Sequence, residues 1–215
     1  MTRVIVIDYG VVNIKNVIRG FECVGANVES SKDPDCVYHA DRVVLPGVGA
    51  FAAGMAELEA QGMDDALKEV AKAGRPILGI CLGMQMLLDQ SMEHGQHPGL
   101  GLISGSVLPI PNGSGEEGRP KRKVPHIGWN AVVYPTHMTS WEGTCLDSTS
   151  PGSYCYFVHS YTVSPSSAIT VVAQCVYQDL PLVAAIKQEN ITGLQFHPER
   201  SGPVGLEILR RFQMT

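Results

Sequence analysis

Apolar and polar positions along the chain fall into short apolar runs separated by stretches of helical periodicity. Arg3–Ile7 is rich in β-branched residues, ends at Asp8-Tyr9-Gly10 and predicts a buried strand. Asn13–Gly25 places Ile14, Val17, Ile18 and Phe21 on one helical face, with Asn13 in the N-cap position. Asn27–Ser30 predicts a second strand and Pro34–His39 a short helix. Arg42-Val43-Val44-Leu45 predicts a third strand, which stops at Pro46-Gly47-Val48-Gly49. Ala50–Gln61 and Met63–Ala73 read as helices broken at Gly62. Pro76–Ile80 is another short apolar run, and Leu82–Leu88 continues as a helix of good helix formers.

Strands that alternate with helices imply right-handed crossovers and an α/β fold: a doubly wound, mostly parallel central sheet flanked by helices. Ligands of such sheets bind beyond the carboxyl ends of the strands. The second half is less regular. Ser91–Arg119 is polar, with Asn112–Gly118 a loop between short strands. Tyr154–Tyr161 alternates as a strand does, and Ala168–Tyr177 and Leu182–Lys187 are further strands. Asn190–Gly193 turns into a final strand over Gly193–His197, and Val204–Phe212 closes the chain as a helix. No repeat or low-complexity tract divides residues 1–215, so one domain is expected.

Composition narrows the function classes. A 215-residue chain with 44% hydrophobic residues supports one sizeable core. A net charge of −5 and a pI near 5.8 leave no basic footprint for nucleic acid. No apolar segment reaches the length of a membrane span, and Met1–Asp8 leads into a strand rather than a signal peptide. The six cysteines lack C-x-x-C or His/Cys clustering, which argues against a disulfide framework or zinc site and for a reducing cytoplasm. His94 and His97 flank Gly95 without a third ligand, so a solvated loop is expected there, with no metal or cofactor. Lys121-Arg122-Lys123 reads as a solvated basic face or a docking cluster.

The candidate chemistry centres on Gly79-Ile80-Cys81-Leu82-Gly83, a G-x-nucleophile-x-G elbow with Cys as the nucleophile. Small neighbours allow a tight strand-to-helix turn, and a following helix turns its positive end toward the sulfur. A base and an orienting carboxylate lie far downstream, at His197 and Glu199 around Pro198. Spaced i, i+2 at a strand end, the two side chains reach one side, completing a Cys–His–Glu triad. His159 is the other histidine at a strand end, but no carboxylate sits at matched spacing. Pro46-Gly47-Val48-Gly49 reads as an ordinary turn or, beside the elbow, as a loop whose backbone N–H groups stabilise developing oxyanion charge. Trp129, after Gly128 in a polar context, is either a core residue or an interface anchor.

The stretches PGVGAF, GICLGMQ and QFHPE resemble the class I, or triad-type, glutamine amidotransferases. VPHIGWN (Val124–Asn130) and YFVHSY (Tyr156–Tyr161) are similar to the glutaminase subunits of imidazole glycerol phosphate synthase within that family. The resemblance implies a flavodoxin-like amidotransferase fold and hydrolysis of free glutamine to glutamate and ammonia. It implies catalytic Cys81, His197 and Glu199, and an oxyanion hole from Val48, Gly49 and Leu82. Substrate contacts fall at Gly47, Gln85, His159, Ser160 and Tyr161. A (β/α)8-barrel cyclase is the implied partner, heterodimeric and fed with ammonia through a channel, with Asn13, Trp129 and Arg200 toward the interface. Two positions depart from the family pattern: Val12 where Gly is usual in Asp-Tyr-Gly-x-Gly-Asn, and Arg200 where Lys follows the catalytic Glu. Three other readings share parts of this pattern. They are a paralogue feeding surface-polysaccharide sugar amidation, a cysteine hydrolase with the same triad, and a non-amidase elbow protein of the DJ-1-like kind.

Overall fold

The computed structural model describes residues 2–10, 14–113 and 121–214. In chain order the first half comprises β1 (Arg3–Ile7), α1 (Ile14–Cys23), β2 (Asn27–Ser31), α2 (Pro34–Tyr38), β3 (Arg42–Gly47), α3 (Phe51–Ala60), α4 (Met63–Lys72), β4 (Ile77–Cys81) and α5 (Leu82–Met86). The second half comprises β5 (Leu88–Ser91), β6 (His97–Pro98), β7 (Ile103–Pro109), β8 (His126–Ala131), β9 (Tyr154–His159), β10 (Tyr161–Pro165), β11 (Val171–Tyr177), β12 (Leu180–Gln188), β13 (Ile191–Leu194) and α6 (Gly202–Met214).

Local chemistry explains several boundaries. Pro34 occupies the first turn of α2, and the Asp33 carboxylate caps that helix by accepting from Asp35 N–H at 3.0 Å. Gly62, at φ 67°, separates α3 from α4, a backbone that a residue with a side chain adopts only under strain. Asn13 and most of the Asn112–Gly118 loop lie outside the described residues.

The central sheet has seven strands in the order β11-β12-β13-β4-β3-β1-β2. Strands β2, β1, β3, β4 and β13 pair in parallel, while β12 and β11 extend the sheet antiparallel. The antiparallel edge follows from two-residue connections, Gln178-Asp179 and Glu189-Asn190, which are too short for a parallel crossover. Gln178 and Asp179 both take positive φ, as a hairpin turn requires. A second sheet (β10-β7-β5-β6) and the antiparallel pair β8–β9 complete the fold.

Both faces of the parallel strands are covered. Val4, Val6, Val44 and Leu78 pack with Phe21 of α1 and Phe212 of α6, whereas Ile5, Ile7, Val43 and Leu45 pack with Phe51, Leu58 and Leu67 of α3 and α4. Burying each such side chain contributes roughly 1.5–3 kcal/mol, so the period-2 alternation of β1 stabilises both layers at once.

Two expectations are revised and one element is added. The helix after Cys81 ends at Met86 rather than Leu88, because Leu88 leaves to pair with Ile103 of β7. His126–Ala131, for which the sequence predicts no element, is a strand paired with β9. The last sheet strand spans Ile191–Leu194 and not Gly193–His197, so His197 lies just beyond it.

Strands β3, β4 and β13 are neighbours, with Gly47 opposite Cys81 and Leu194 opposite Ile80. Their carboxyl ends therefore deliver the PGVG loop, the elbow and His197 to one place.

Candidate active site

Cys81 ends β4 and caps α5 with φ 55° and ψ −109°, a strained conformation for a residue with a side chain. Its glycine frame is a packing requirement. A Cβ on Gly83 would lie 1.8 Å from the Leu45 carbonyl oxygen, and one on Gly79 would lie 2.8 Å from the Gly83 carbonyl. The start of α5 thus rests directly on β3 and β4, and that close approach holds the elbow in its strained turn. With five residues α5 is short, so favourable charge at its start comes from the unpaired N–H groups of the first turn.

His197 follows β13 and is fixed through its backbone. Its N–H donates to Tyr156 O at 2.9 Å, and Ser201 Oγ donates to His197 O at 2.7 Å. Its Nδ1 bonds Glu199 Oε1 at 2.8 Å, with both side chains almost fully buried. A 3-10 turn over Pro198–Arg200 brings the carboxylate under the ring. The opposite nitrogen, Nε2, is buried and makes no hydrogen bond. Burial alone would lower the imidazole's pKa; the neighbouring Cys81 and Glu199 outweigh it and raise it to about 10. The ring therefore favours its protonated form beside a sulfur and a carboxylate.

A cavity of about 530 Å³ opens over this pair. Val48, Gly49, Leu82, Gln85, His159, Ser160 and Tyr161 are among the residues that line it, together with Cys81 and His197. Gly47 lies outside the lining, under the elbow, where a Cβ would fall 2.8 Å from Gly83 N and 2.9 Å from the Tyr9 hydroxyl. The loop is tied at both ends. Tyr9 donates to Pro46 O at 2.8 Å, and the Phe51 N–H at the start of α3 donates to the Glu93 carboxylate. Between the ties Gly49 takes φ +101°, open to glycine and costly for other residues.

The imidazole of His159 is already engaged. Its Nδ1 bonds Tyr161 O at 2.8 Å and its Nε2 bonds His126 Nδ1 at 2.9 Å. A ligand in the cavity therefore meets the backbone around His159 rather than a free ring nitrogen. Burial lowers the pKa of both His126 and His159 to about 4, and each is a neutral, structural ring. Sequence reasoning left Glu93, His94, Pro125 and Gln195 without roles; the first three line the cavity. Gln195 is fully buried, with Nε2 3.8 Å from the Cys81 sulfur. A Gln within the apolar run Leu194-Gln195-Phe196 was the available signal, because a buried amide must be hydrogen-bonded.

Trp129 is 55% exposed on β8 and packs edge-on against Tyr156, whose other neighbour is the Arg200 guanidinium 4.5 Å from the ring centroid. Ile127 and Tyr154 extend this face as exposed apolar side chains. All six cysteines are free, and among the described residues no group of three or more His, Cys, Asp or Glu side chains is arranged to hold a metal. Among the described residues no helix is long and apolar enough to cross a membrane.

The profile of the family "Glutamine amidotransferase class-I" matches residues 5–215. The chain belongs to the class-I glutamine amidotransferases. This amidotransferase is 45% identical over 212 residues to "Imidazole glycerol phosphate synthase subunit HisH 1" of Legionella pneumophila (strain Lens), covering 99% of both chains. To the HisH subunit of Geobacter sulfurreducens it is 42% identical, covering 99% of this chain and 98% of that one. A solved "glutamine amidotransferase" superposes with a TM-score of 0.71 at 15% identity, covering 99% of each chain, a likeness that speaks for the amidotransferase's fold alone.

Proposed function

We propose that the protein is the glutaminase subunit of an imidazole glycerol phosphate synthase, releasing ammonia from free glutamine for a cyclase subunit in histidine biosynthesis. The observation that carries the reading is one cavity lined by both Cys81 and His197, with Glu199 buried behind it on His197 Nδ1 and His197 Nε2 left without a hydrogen bond. The full-length similarity to HisH subunits supports the pathway.

The chemistry follows from the geometry. His197, held by Glu199, takes the proton of the Cys81 thiol. The sulfur attacks the side-chain carboxamide carbon of glutamine, and the C=O electron pair moves onto oxygen. Backbone N–H groups of Val48, Gly49 and Leu82 receive that charge. The imidazolium gives its proton to the departing nitrogen, the C–N bond breaks, and ammonia leaves a glutamyl thioester. Water then attacks the thioester, its proton passing to His197, and collapse expels the Cys81 sulfur and frees glutamate. Glu93, a carboxylate at the cavity wall, suits the α-ammonium of glutamine, and the Ser160–Tyr161 backbone the rest of the substrate.

The cyclase docks on the face built by Trp129 and Arg200, forming a cytoplasmic heterodimer that passes ammonia between subunits. Acid quenching during turnover, followed by intact-mass analysis, tests the chemistry. A glutamyl adduct on Cys81 that is absent from Cys81→Ala is expected; no adduct at any time would contradict covalent catalysis.

A further inference from the structure

A chain of hydrogen bonds runs through the buried wall behind the cavity, and its direction is fixed by chemistry. Tyr161 O, a carbonyl, can only accept. It takes bonds from His159 Nδ1 at 2.8 Å and from Gln85 Nε2 at 3.2 Å. His159 Nδ1 therefore carries the hydrogen, its Nε2 is the acceptor, and His126 Nδ1 is the donor to it at 2.9 Å. On the other branch, the second hydrogen of Gln85 Nε2 goes to Gln195 Oε1 at 3.1 Å. Gln195 then has its amide nitrogen on the far side, 3.8 Å from the Cys81 sulfur. Flipping the Gln195 amide would set two NH2 groups face to face at Gln85, so the N–H on the sulfur is imposed from two residues away.

Besides Gln195 and the His197 imidazole, the sulfur meets the Val158 carbonyl at 3.7 Å. A carbonyl accepts from a thiol and repels a thiolate. An amide N–H does the reverse. These two contacts pull the sulfur toward opposite protonation states, and of the two the one that favours the reactive form, alongside His197, is Gln195.

We infer that Gln195 is a catalytic residue, donating to the Cys81 sulfur in its ionised form and so offsetting the Val158 carbonyl, with Gln85 as the positioning residue that sets the direction of that donation. Gln195 acts on the nucleophile itself, before and after each acyl transfer, whereas the oxyanion loop acts on the substrate oxygen. The role rests on the thiolate chemistry proposed above, but its primary readout needs no glutamine.

The test is site-resolved alkylation of the intact protein by iodoacetamide at neutral pH, with Cys81 followed by peptide mass, alongside steady-state glutaminase kinetics. Gln195→Met keeps the side-chain volume and removes the N–H. Loss of one hydrogen bond to a charged group predicts about tenfold slower capture of Cys81 and about tenfold lower kcat, with KM within about twofold. A purely structural role would loosen the elbow and leave capture equal or faster. Capture at the wild-type rate or faster therefore overturns the inference, as does unchanged kcat. If Gln195→Met does not fold, Gln85→Met frees the Gln195 amide to rotate: slower capture is expected, and capture at the wild-type rate or faster overturns the inference. A wild-type protein that releases no ammonia would instead overturn the glutaminase reading, while the capture comparison would still report on Gln195.

Discussion

Glu199 accepts one hydrogen bond, from His197 Nδ1, and its second oxygen is buried without a partner. Leaving such an oxygen unsatisfied costs stability, so the carboxylate is retained for what it does to the imidazole. Glu199→Gln should keep the fold and lower kcat by about 10²–10⁴, because a neutral amide no longer holds the ring's orientation and charge; steady-state kinetics with a melting curve checks both. At this scale the sequence was legible wherever chemistry demands a spaced motif. Cys81, His197 and Glu199 stood out because few contexts other than a triad need a Cys in a glycine frame and a His two residues before a Glu. The engagement of the His159 ring was not legible, because it depends on His126, 33 residues away, meeting it across β8 and β9. Nor was the place of Gly47, which serves packing under the elbow.

At the scale of elements, the elbow depends on how closely α5 lies on β3. Gly83→Ala would put a methyl carbon 1.8 Å from a backbone oxygen that cannot yield. It is expected to destabilise the protein by about 3 kcal/mol or more, read from urea unfolding, and to disable the site even where the protein still folds. The end of α5 is not legible in the sequence because Met84, Met86, Leu87 and Leu88 suit a buried helix and a buried strand equally. The pairing of Leu88 with Ile103 decided between them. β8 was hidden for a related reason: Pro125, Gly128 and Asn130 are turn-forming residues, yet each position from His126 to Ala131 pairs with β9. That pairing presents Trp129 outward, and Trp129→Ala should weaken the complex with the cyclase by about 30-fold, measured by titration of one subunit into the other.

Across the whole molecule, two buried neutral histidines couple stability to pH. His126 and His159 have folded pKa values lowered to about 4 from an ordinary 6.5. The unfolded chain therefore binds more protons than the native state between these values. Stability from this pair is fully present above about pH 6.5 and is lost as pH falls toward 4. Urea midpoints should decline over that window, and His126→Phe, which keeps an aromatic ring against Phe157 and Tyr177, should flatten the decline. The alternation of strands and helices was enough to read the parallel sheet and its functional edge. The antiparallel extension escaped because hairpins at Gln178-Asp179 and Glu189-Asn190 carry no Gly, and positive φ was taken there by residues that usually avoid it.

The central claim is that this fold hydrolyses glutamine at Cys81 for the benefit of a cyclase partner. The most direct measurement is ammonia release from glutamine by the purified protein, alone and with the histidine-pathway cyclase and its nucleotide ligand, using Cys81→Ala as control. Release that rises strongly in the complex and vanishes in the variant is the predicted result. Activity that the cyclase leaves unchanged would assign the glutaminase to another synthase, such as one amidating polysaccharide sugars. No release under either condition would contradict the account.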